Sequence, residues 1–429
     1  MLKKAVVVNP PVFTPKPFSS VECGSMGVYT YASALRNEGA NIDVFDFVSE
    51  RRELDGWEDV RVERVATVGN YESERLRKRI YYVGVNERRY IDYLKACKPR
   101  LVIVSCLFTF YWQGAKLAYD LTREYSPESD IWFGGNYPTL CYEHALDNFP
   151  EARVRVSATN IPDRFVDIDF GFYRAIPRMF PILTSVGCQF SCKWCAVPYL
   201  EGKNMQFKDP RKVVEDMETK YRLGVRSFRF IDSHLLANYE NHFKVILEEL
   251  VKKPWRAELH SYGGLNPLYV TQEMLELMAE AGFVRIQLPI ETSNEKTLKE
   301  NNRPVSAGMW EAAVKKLKRI NRFQVVSYVL AGLPGQTIED IYRAINFVED
   351  RGVTPVPLFF TPIPTTLYED PRPLEDLHPY LFPYASDEMP AMELERIQEK
   401  YYTAGTHVSE IIKGTKTVYE SGPAIKDKS

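Results

Sequence analysis

The sequence predicts an α/β protein that begins with a doubly wound parallel sheet. Short, almost wholly apolar runs alternate with stretches of helical spacing, as expected where helices bury both faces of parallel strands. The chain of 429 residues is 45% hydrophobic, enough length and apolar content for two or three domains with ordinary cores. In its second half, three cysteines follow directly on an apolar strand.

The first strand is Ala5-Val6-Val7-Val8, which runs into Asn9-Pro10-Pro11. Residues 27–38 have helical spacing (Val28, Tyr31, Ala32, Leu35), and Gly39 ends that helix. The next strand is Ile42-Asp43-Val44-Phe45-Asp46. Residues 93–98 lead into a strand at 101–105, and a helix at 114–124 leads into Ile131-Trp132-Phe133-Gly134-Gly135. Ligands of such sheets sit beyond the strand C-termini. Ser105-Cys106-Leu107 and Gly134-Gly135 stand at two of those ends. Residues 144–175 lack periodicity and read as a connector, so the expected layout is a first domain at 1–150, a linker at 151–175, a second domain at 176–370 and an extension at 371–429.

In the second domain a strand at 180–186 ends in Gly187-Cys188-Gln189-Phe190-Ser191-Cys192-Lys193-Trp194-Cys195. The spacing Cys-x3-Cys-x2-Cys supplies three thiolates within one loop, the usual ligands of iron–sulfur clusters. Three ligands on a four-iron cube leave one iron open to another molecule. A zinc site built from three cysteines and a distant fourth ligand is the alternative, although no second Cys-x2-Cys pair is present. Later strands also end in polar residues. Asp232-Ser233 closes a strand at 227–233, and Asp and Ser favour helix N-caps as well. A strand at 256–261 carries Glu258 and His260. A strand at 284–292 ends at Glu291, an acid that needs a partner if buried, such as Arg303 or a ligand. A strand at 325–330 precedes Gly332-Leu333-Pro334-Gly335-Gln336-Thr337, with Thr337 placed to cap the next helix. A sixth strand is expected at 358–364 and an amphipathic helix at 388–413, with aromatic Tyr380 to Tyr384 between them.

Composition excludes some classes. Lys+Arg 55 against Asp+Glu 57 gives a net charge of -2, which asks for neither nucleic acid nor an anionic membrane surface. The four scattered cysteines (Cys23, Cys97, Cys106, Cys141) suit a reducing, cytoplasmic setting. The apolar run at 5–8 is too short for a signal peptide, and the longest apolar stretch, 101–112, falls far short of a membrane span. No catalytic triad or paired carboxylates stand out.

The cysteine spacing with Trp194 before the last cysteine resembles the radical SAM superfamily. So do Asp232-Ser233, Glu291-Thr292 followed by Leu298 and Asn301-Asn302-Arg303, and the Gly-Leu-Pro-Gly turn at Gly332. The resemblance implies a partial (β/α)6 barrel with a [4Fe-4S] cluster on Cys188, Cys192 and Cys195. It also implies S-adenosylmethionine (SAM) on the open iron, contacted by Trp194, Asp232, Ser233, Glu258, Glu291 and Gly332. In the first domain Ser105, Leu107, Gly134 and Gly135, with Asn9-Pro10-Pro11, resemble the cobalamin-binding domains attached to such enzymes. There are departures: Ser233 replaces a second acid, Thr365 stands where relatives have Gly, and the linker lacks Gly-Glu-x-Glu. The Asp-x-His-x-x-Gly motif that ligates cobalt is also missing, and His144 is the first histidine, so cobalamin is expected without a protein histidine on the metal.

Together these resemblances imply a cobalamin-dependent radical SAM C-methyltransferase, working through a 5′-deoxyadenosyl radical and methylcobalamin. The expected substrate is an amino-acid side chain in a peptide or protein, for example methyl-coenzyme M reductase, with electrons from a ferredoxin- or flavodoxin-like donor. The alternatives are a non-methylating cyclase or ring-contracting enzyme acting on a small molecule, and an iron–sulfur sensor or binding protein.

Overall fold

The computed structural model describes residues 4–15, 26–48, 60–67, 77–155, 165–173, 176–177, 179–364, 366, 368 and 370–402. The chain divides into two compact units: Met1–Phe172 with Thr361–Pro383, and Tyr173–Phe360 with Tyr384–Ser429.

The first unit contains, in order, β1 (Ala5–Asn9), β2 (Val12–Thr14), α1 (Met26–Asn37), β3 (Ile42–Asp46), β4 (Val60–Thr67), β5 (Arg77–Val83) and α2 (Glu87–Cys97). Then come β6 (Leu101–Ser105), α3 (Trp112–Tyr125), β7 (Asp130–Gly134), α4 (Asn136–Leu140), α5 (Tyr142–Asn148) and β8 (Arg153–Val154). Its main sheet is parallel with strand order β3-β1-β6-β7-β8, the doubly wound arrangement expected. Val6, Val8, Val102 and Val104 are fully buried, which is why these strands read as unbroken apolar runs.

Two features were not anticipated. One is a separate antiparallel sheet of order β2-β5-β4. Its strands β4 and β5 carry many charged residues (VRVERVAT and RKRIYYV), which hides the strand pattern. The other is the full length of α2, where the i, i+4 pair Tyr90 and Leu94 forms the buried stripe and Asn86 caps the start.

At the strand C-termini, Asn9 Nδ2 donates to Asp46 Oδ1 at 2.8 Å and Tyr29 Oη donates to Asp46 Oδ2 at 2.9 Å. This closes the β1–β3 side. Residues 361–383 return to this unit: Trp112 Nε1 donates to Glu375 Oε2 at 3.0 Å, and the His378 ring packs at a tilt against Phe110, centroids 4.4 Å apart.

The second unit contains β9 (Met179–Ile182), β10 (Ser185–Val186), α6 (Val197–Leu200), β11 (Gln206–Phe207), α7 (Pro210–Leu223), β12 (Ser227–Phe230), α8 (Phe243–Val251) and β13 (Glu258–Ser261). It continues with α9 (Gln272–Ala281), β14 (Phe283–Gln287), α10 (Glu295–Glu300), α11 (Ala307–Ile320), β15 (Gln324–Ala331), α12 (Ile338–Glu349), β16 (Thr354–Phe359) and α13 (Ala391–Tyr402). Six parallel strands lie in chain order, β9-β12-β13-β14-β15-β16, as a (β/α)6 sheet. Thr337 caps α12 in a capping box with Asp340.

Two strands differ from expectation. The run at 180–186 breaks after Ile182, and its end pairs antiparallel with β11. The sixth strand starts earlier, at Thr354, and includes Pro355 and Pro357. Among the described residues it is an edge strand, paired with β15 alone, where a residue without an N–H is tolerated. Of the helix expected at 388–413, residues 403–413 lie outside the described residues, as do Cys23, Thr365 and Leu367.

Gly135 has φ 107, and a Cβ there would sit 2.4 Å from the Cys106 carbonyl oxygen. The Gly135→Ala variant should lose about 1–3 kcal/mol of stability. Thermal unfolding would show it, and an unchanged melting temperature would contradict the close approach of the β6 and β7 loops.

Candidate active site

The three cysteines lie on a loop clasped at both ends. β10 and β11 pair Ser185 with Phe207 and Val186 with Gln206. Gly187 has φ 99, its N–H donates to Glu201 Oε2 at 2.9 Å, and a Cβ there would meet the Asn204 carbonyl at 2.8 Å. The Cys188 N–H donates to the Gly202 carbonyl at 3.2 Å. A second clasp comes from the turn after α10: the Lys193 N–H donates to the Asn301 carbonyl at 3.1 Å, and Cys192 Sγ lies 3.9 Å from the Asn302 carbonyl. The loop after the first barrel strand and the turn after the fourth therefore hold one another.

Burial raises all three thiols above their ordinary range, Cys195 to about 11. The Arg303 guanidinium opposes this at Cys188 and Cys192, and hydrogen-bonds to Cys192. The free thiols are therefore protonated near neutrality and must release protons to bind metal. Among the described residues, no three His, Cys, Asp or Glu side chains are drawn together tightly enough to cage a single ion. A four-iron cube takes its thiolates at separate corners, so it does not require that closeness.

Asp232 anchors the start of the loop. It is fully buried two residues beyond β12, and its Oδ1 accepts four hydrogen bonds. These come from the Thr184 N–H (3.0 Å) and Oγ1 (2.7 Å) and from the Ser185 N–H (2.5 Å) and Oγ (2.7 Å). His242 Nε2 lies 3.1 Å from Thr184 Oγ1 and extends the network. Oδ2 is buried without a partner. Burial pushes the carboxyl up to about 6 against the pull of the four donors.

Two more polar groups border the cysteines. Glu291 sits at φ 67, a left-handed conformation uncommon for a residue with a side chain, and its Oε1 lies 3.5 Å from Arg303 Nη2. Burial raises the Glu291 carboxyl and Arg303 counters it. His234 is buried against Phe190 of the cysteine loop (5.3 Å) and Tyr269 (5.2 Å), and both its ring nitrogens lack partners. Arg303 Nε is likewise buried without a partner. Thiolate donors ringed by orphaned polar atoms of both signs suit a cluster carrying a zwitterionic ligand.

Of the residues singled out from sequence, Cys188, Cys192, Cys195, Asp232 and Glu291 are tied to the loop by these interactions. Trp194 is half-buried on the loop itself, and Ser233 is half-buried beside Asp232. Gly332 opens the turn after β15, where its N–H is taken by Gln336 Oε1 at 2.9 Å. Glu258 is not brought to the loop. It is exposed at the N-terminal start of β13, level with Ser227, about 10 Å along the strand from Ser261. In the first unit, Ser105 ends β6, Leu107 is exposed just beyond it, and Gly134 ends β7 with nothing nearer to a virtual Cβ than the Arg155 carbonyl at 3.8 Å. The sequence marked His234 only as the nearest histidine downstream of the cysteines, in weighing a zinc site, and did not mark Thr184, because neither lies in a spaced motif.

Residues 182–348 match the Radical SAM superfamily. A tRNA-2-methylthio-N(6)-dimethylallyladenosine synthase of Corynebacterium jeikeium is 24% identical over 52% of this chain and 46% of its own length. A hopanoid C-2 methylase of Rhodopseudomonas palustris is 27% identical over 39% of this chain and 33% of its own. The chain thus spans about half, or less, of these curated relatives. Among solved structures, the radical SAM methyltransferase TsrM of Kitasatospora setae, with cobalamin and a [4Fe-4S] cluster bound, matches with TM-score 0.64 at 16% identity, over 85% of this chain and 77% of its own. The cobalamin-dependent SAM radical enzyme OxsB matches with TM-score 0.58 at 13% identity, over 93% and 61%. The chain therefore contains a radical SAM domain and shares the fold of cobalamin-dependent radical SAM methyltransferases. It is an enzyme, and the domain implies SAM and a [4Fe-4S] cluster.

Two predictions follow from this geometry. Burial pushes His234, His242 and His260 down to about 4 from an ordinary value near 6.5. The unfolded chain then takes up protons first, so stability should fall as pH drops from about 6.5 to 4, by up to about 3 kcal/mol per histidine. Asp232, raised to about 6, acts in the opposite sense: its contribution is present at low pH and lost as pH rises through 6. Three groups outweigh one, so melting temperature should decline toward pH 4.5, and a flat profile would contradict the buried neutral histidines. The second prediction separates two roles of Asp232. Asp232→Asn keeps the accepting oxygen and should retain iron while weakening SAM binding at least about tenfold. Asp232→Ala should lose iron as well. Normal SAM affinity in the Asn variant would make Asp232 purely structural.

Proposed function

We propose that this radical SAM enzyme is a cobalamin-dependent C-methyltransferase acting on an unactivated carbon. The observation that carries the reading is the pairing, in one chain, of two features. One is a cysteine loop bordered by unpartnered Asp232 Oδ2, His234 and Arg303 Nε. The other is a doubly wound sheet whose C-terminal edge exposes Leu107 (44%) and Phe108 (42%) beside an open Gly134.

When bound, the cluster, SAM and cobalamin supply a carbon-centred radical and a transferable methyl group. The chain's residues hold and shield. Cys188, Cys192 and Cys195 ligate the cluster, and Arg303 offsets their charge and faces the methionine carboxylate. Asp232 Oδ2 accepts from the methionine ammonium, with Ser233 beside it. Glu291 would stay on Arg303 and bind a ribose hydroxyl, and Trp194 and the turn at Gly332 would hold the adenosine moiety. In the first unit Ser105, Leu107, Gly134 and Gly135 would hold the corrinoid tail.

No histidine is assigned to cobalt. His378 is held in this unit with Nδ1 accepting from the Tyr380 N–H at 3.2 Å, so Nε2 bears the hydrogen and faces Thr14 Oγ1 at 3.5 Å. His144 Nδ1 is 2.6 Å from Tyr137 Oη. The hydrogen on His378 Nε2 leaves that nitrogen no lone pair for a metal.

The substrate on this reading is an amino-acid side chain in a peptide or protein, and the electrons come from a ferredoxin- or flavodoxin-like donor. Among the described residues, no helix is long and apolar enough to cross a membrane.

The test is anaerobic reconstitution with iron, sulfide and hydroxocobalamin, then SAM and a strong reductant, quantifying both nucleoside products. Deoxyadenosine together with S-adenosylhomocysteine is expected. Deoxyadenosine alone, with cobalamin not retained, overturns methyl transfer and favours a non-methylating enzyme. No SAM cleavage at all favours a sensor. With ¹⁵N-histidine protein, the electron paramagnetic resonance of the Co(II) form should keep unaltered nitrogen splitting.

A further inference from the structure

A cationic level crosses the inside of the barrel below the strand ends. In β12, Phe228 and Phe230 face the helices, with Phe230 packed on Phe243 of α8 at 5.7 Å. Alternation then turns Arg229 to the inner face. Parallel register places Arg229 beside His260, and His260 beside Arg285, on three successive strands. All three side chains are buried, at 8%, 6% and 8% exposure. Gln287, one step further along the same face of β14, is 2% exposed.

His260 Nε2 and Gln287 Oε1 are buried with no hydrogen-bond partner. Burial holds His260 neutral, and the two guanidiniums push in the same direction. A neutral imidazole with an unpartnered nitrogen between two cations can donate one more hydrogen bond. Above this level Arg229 lies over the ring of Tyr262 at 5.2 Å, and Tyr262 is 47% exposed, which leaves a face toward solvent. Tyr328 Oη closes the side by donating to the Tyr262 carbonyl at 3.4 Å.

We propose that Arg229, His260 and Arg285 form an anion-binding floor inside the barrel, and that the substrate carries a carboxylate or phosphate that docks there. The placement separates it from the SAM site. Arg285 is two residues before the end of β14, about 7 Å below it, whereas Glu291 and Arg303 lie beyond that end. Two guanidiniums, on the strands either side of the one that carries His260, suit a planar or tetrahedral oxyanion better than one lysine would. The inference rests on the methyltransferase reading only in calling the ligand a substrate; the anion site itself does not need methyl transfer.

The test uses the cluster-loaded enzyme without reductant or cobalamin, so the failure of methylation chemistry does not affect it. Inorganic phosphate and acetate are titrated calorimetrically, each against wild type and against Arg229→Gln, Arg285→Gln and His260→Asn. Iron content and circular dichroism confirm that each variant is folded, and SAM affinity is measured in parallel. The expected result is anion binding in wild type that weakens at least about tenfold in the folded variants, with SAM affinity unchanged. Preference for phosphate or for acetate identifies which oxyanion the floor takes. The proposal is overturned if wild type binds neither anion, if every folded variant binds as wild type does, or if SAM affinity falls in step with anion affinity, which would assign the group to SAM's own carboxylate.

Discussion

A single carboxylate oxygen holds the cysteine-loop end of the barrel in place. Asp232 Oδ1 gathers the backbone and hydroxyls of Thr184 and Ser185, and the cysteine loop begins two residues later. A buried acid is costly unless satisfied. Here the cost is offset by four donors on one atom, which leaves the other atom free for a ligand. The same residue thus fixes where the loop starts and presents an acceptor beside it. His242 extends the network on the far side of Thr184.

The charges around the cysteines are arranged for a polar guest in a dry place. Arg303 serves two neighbours: it opposes the desolvation of the thiols, and it partners Glu291. Glu291 is held with a left-handed backbone because its neighbours on β15 bond both its N–H and its carbonyl, the latter from Leu330 at 2.6 Å. Strain at such positions persists only where the surroundings over-determine them. The buried histidines add neutral, hydrogen-bonding surface without adding charge.

Sequence showed the architecture better than it showed the floor of the site. Strands such as Val6 to Val8 and Val102 to Val104 are readable because both faces are buried, and the cysteine spacing, together with the strand-end motifs, points to iron–sulfur chemistry over zinc. The β4–β5 ribbon escaped because its charged residues obscure alternation. β16 was misjudged by several residues because its prolines belong to an edge strand. Of the two residues noted on that strand, Glu258 was assigned to the site while His260, two residues on and on the same face, was given no role. Position along a strand decides which of two inward residues is buried among functional groups, and a lone sequence does not show that depth. The Arg229–His260–Arg285 row is likewise invisible in sequence, since its members lie on separate strands and meet only through register.

The return of residues 361–383 to the first unit has a consequence for how the protein is made. Neither unit is one uninterrupted piece of chain. While the polypeptide emerges from the ribosome, the first unit can form its parallel sheet early, yet it cannot seat Glu375 against Trp112 or His378 against Phe110 until the whole barrel sequence has been synthesised. The barrel in turn waits for α13. The two units therefore reach completion almost together, late in translation, and the aromatic surface around Phe110 stays uncovered for most of that time.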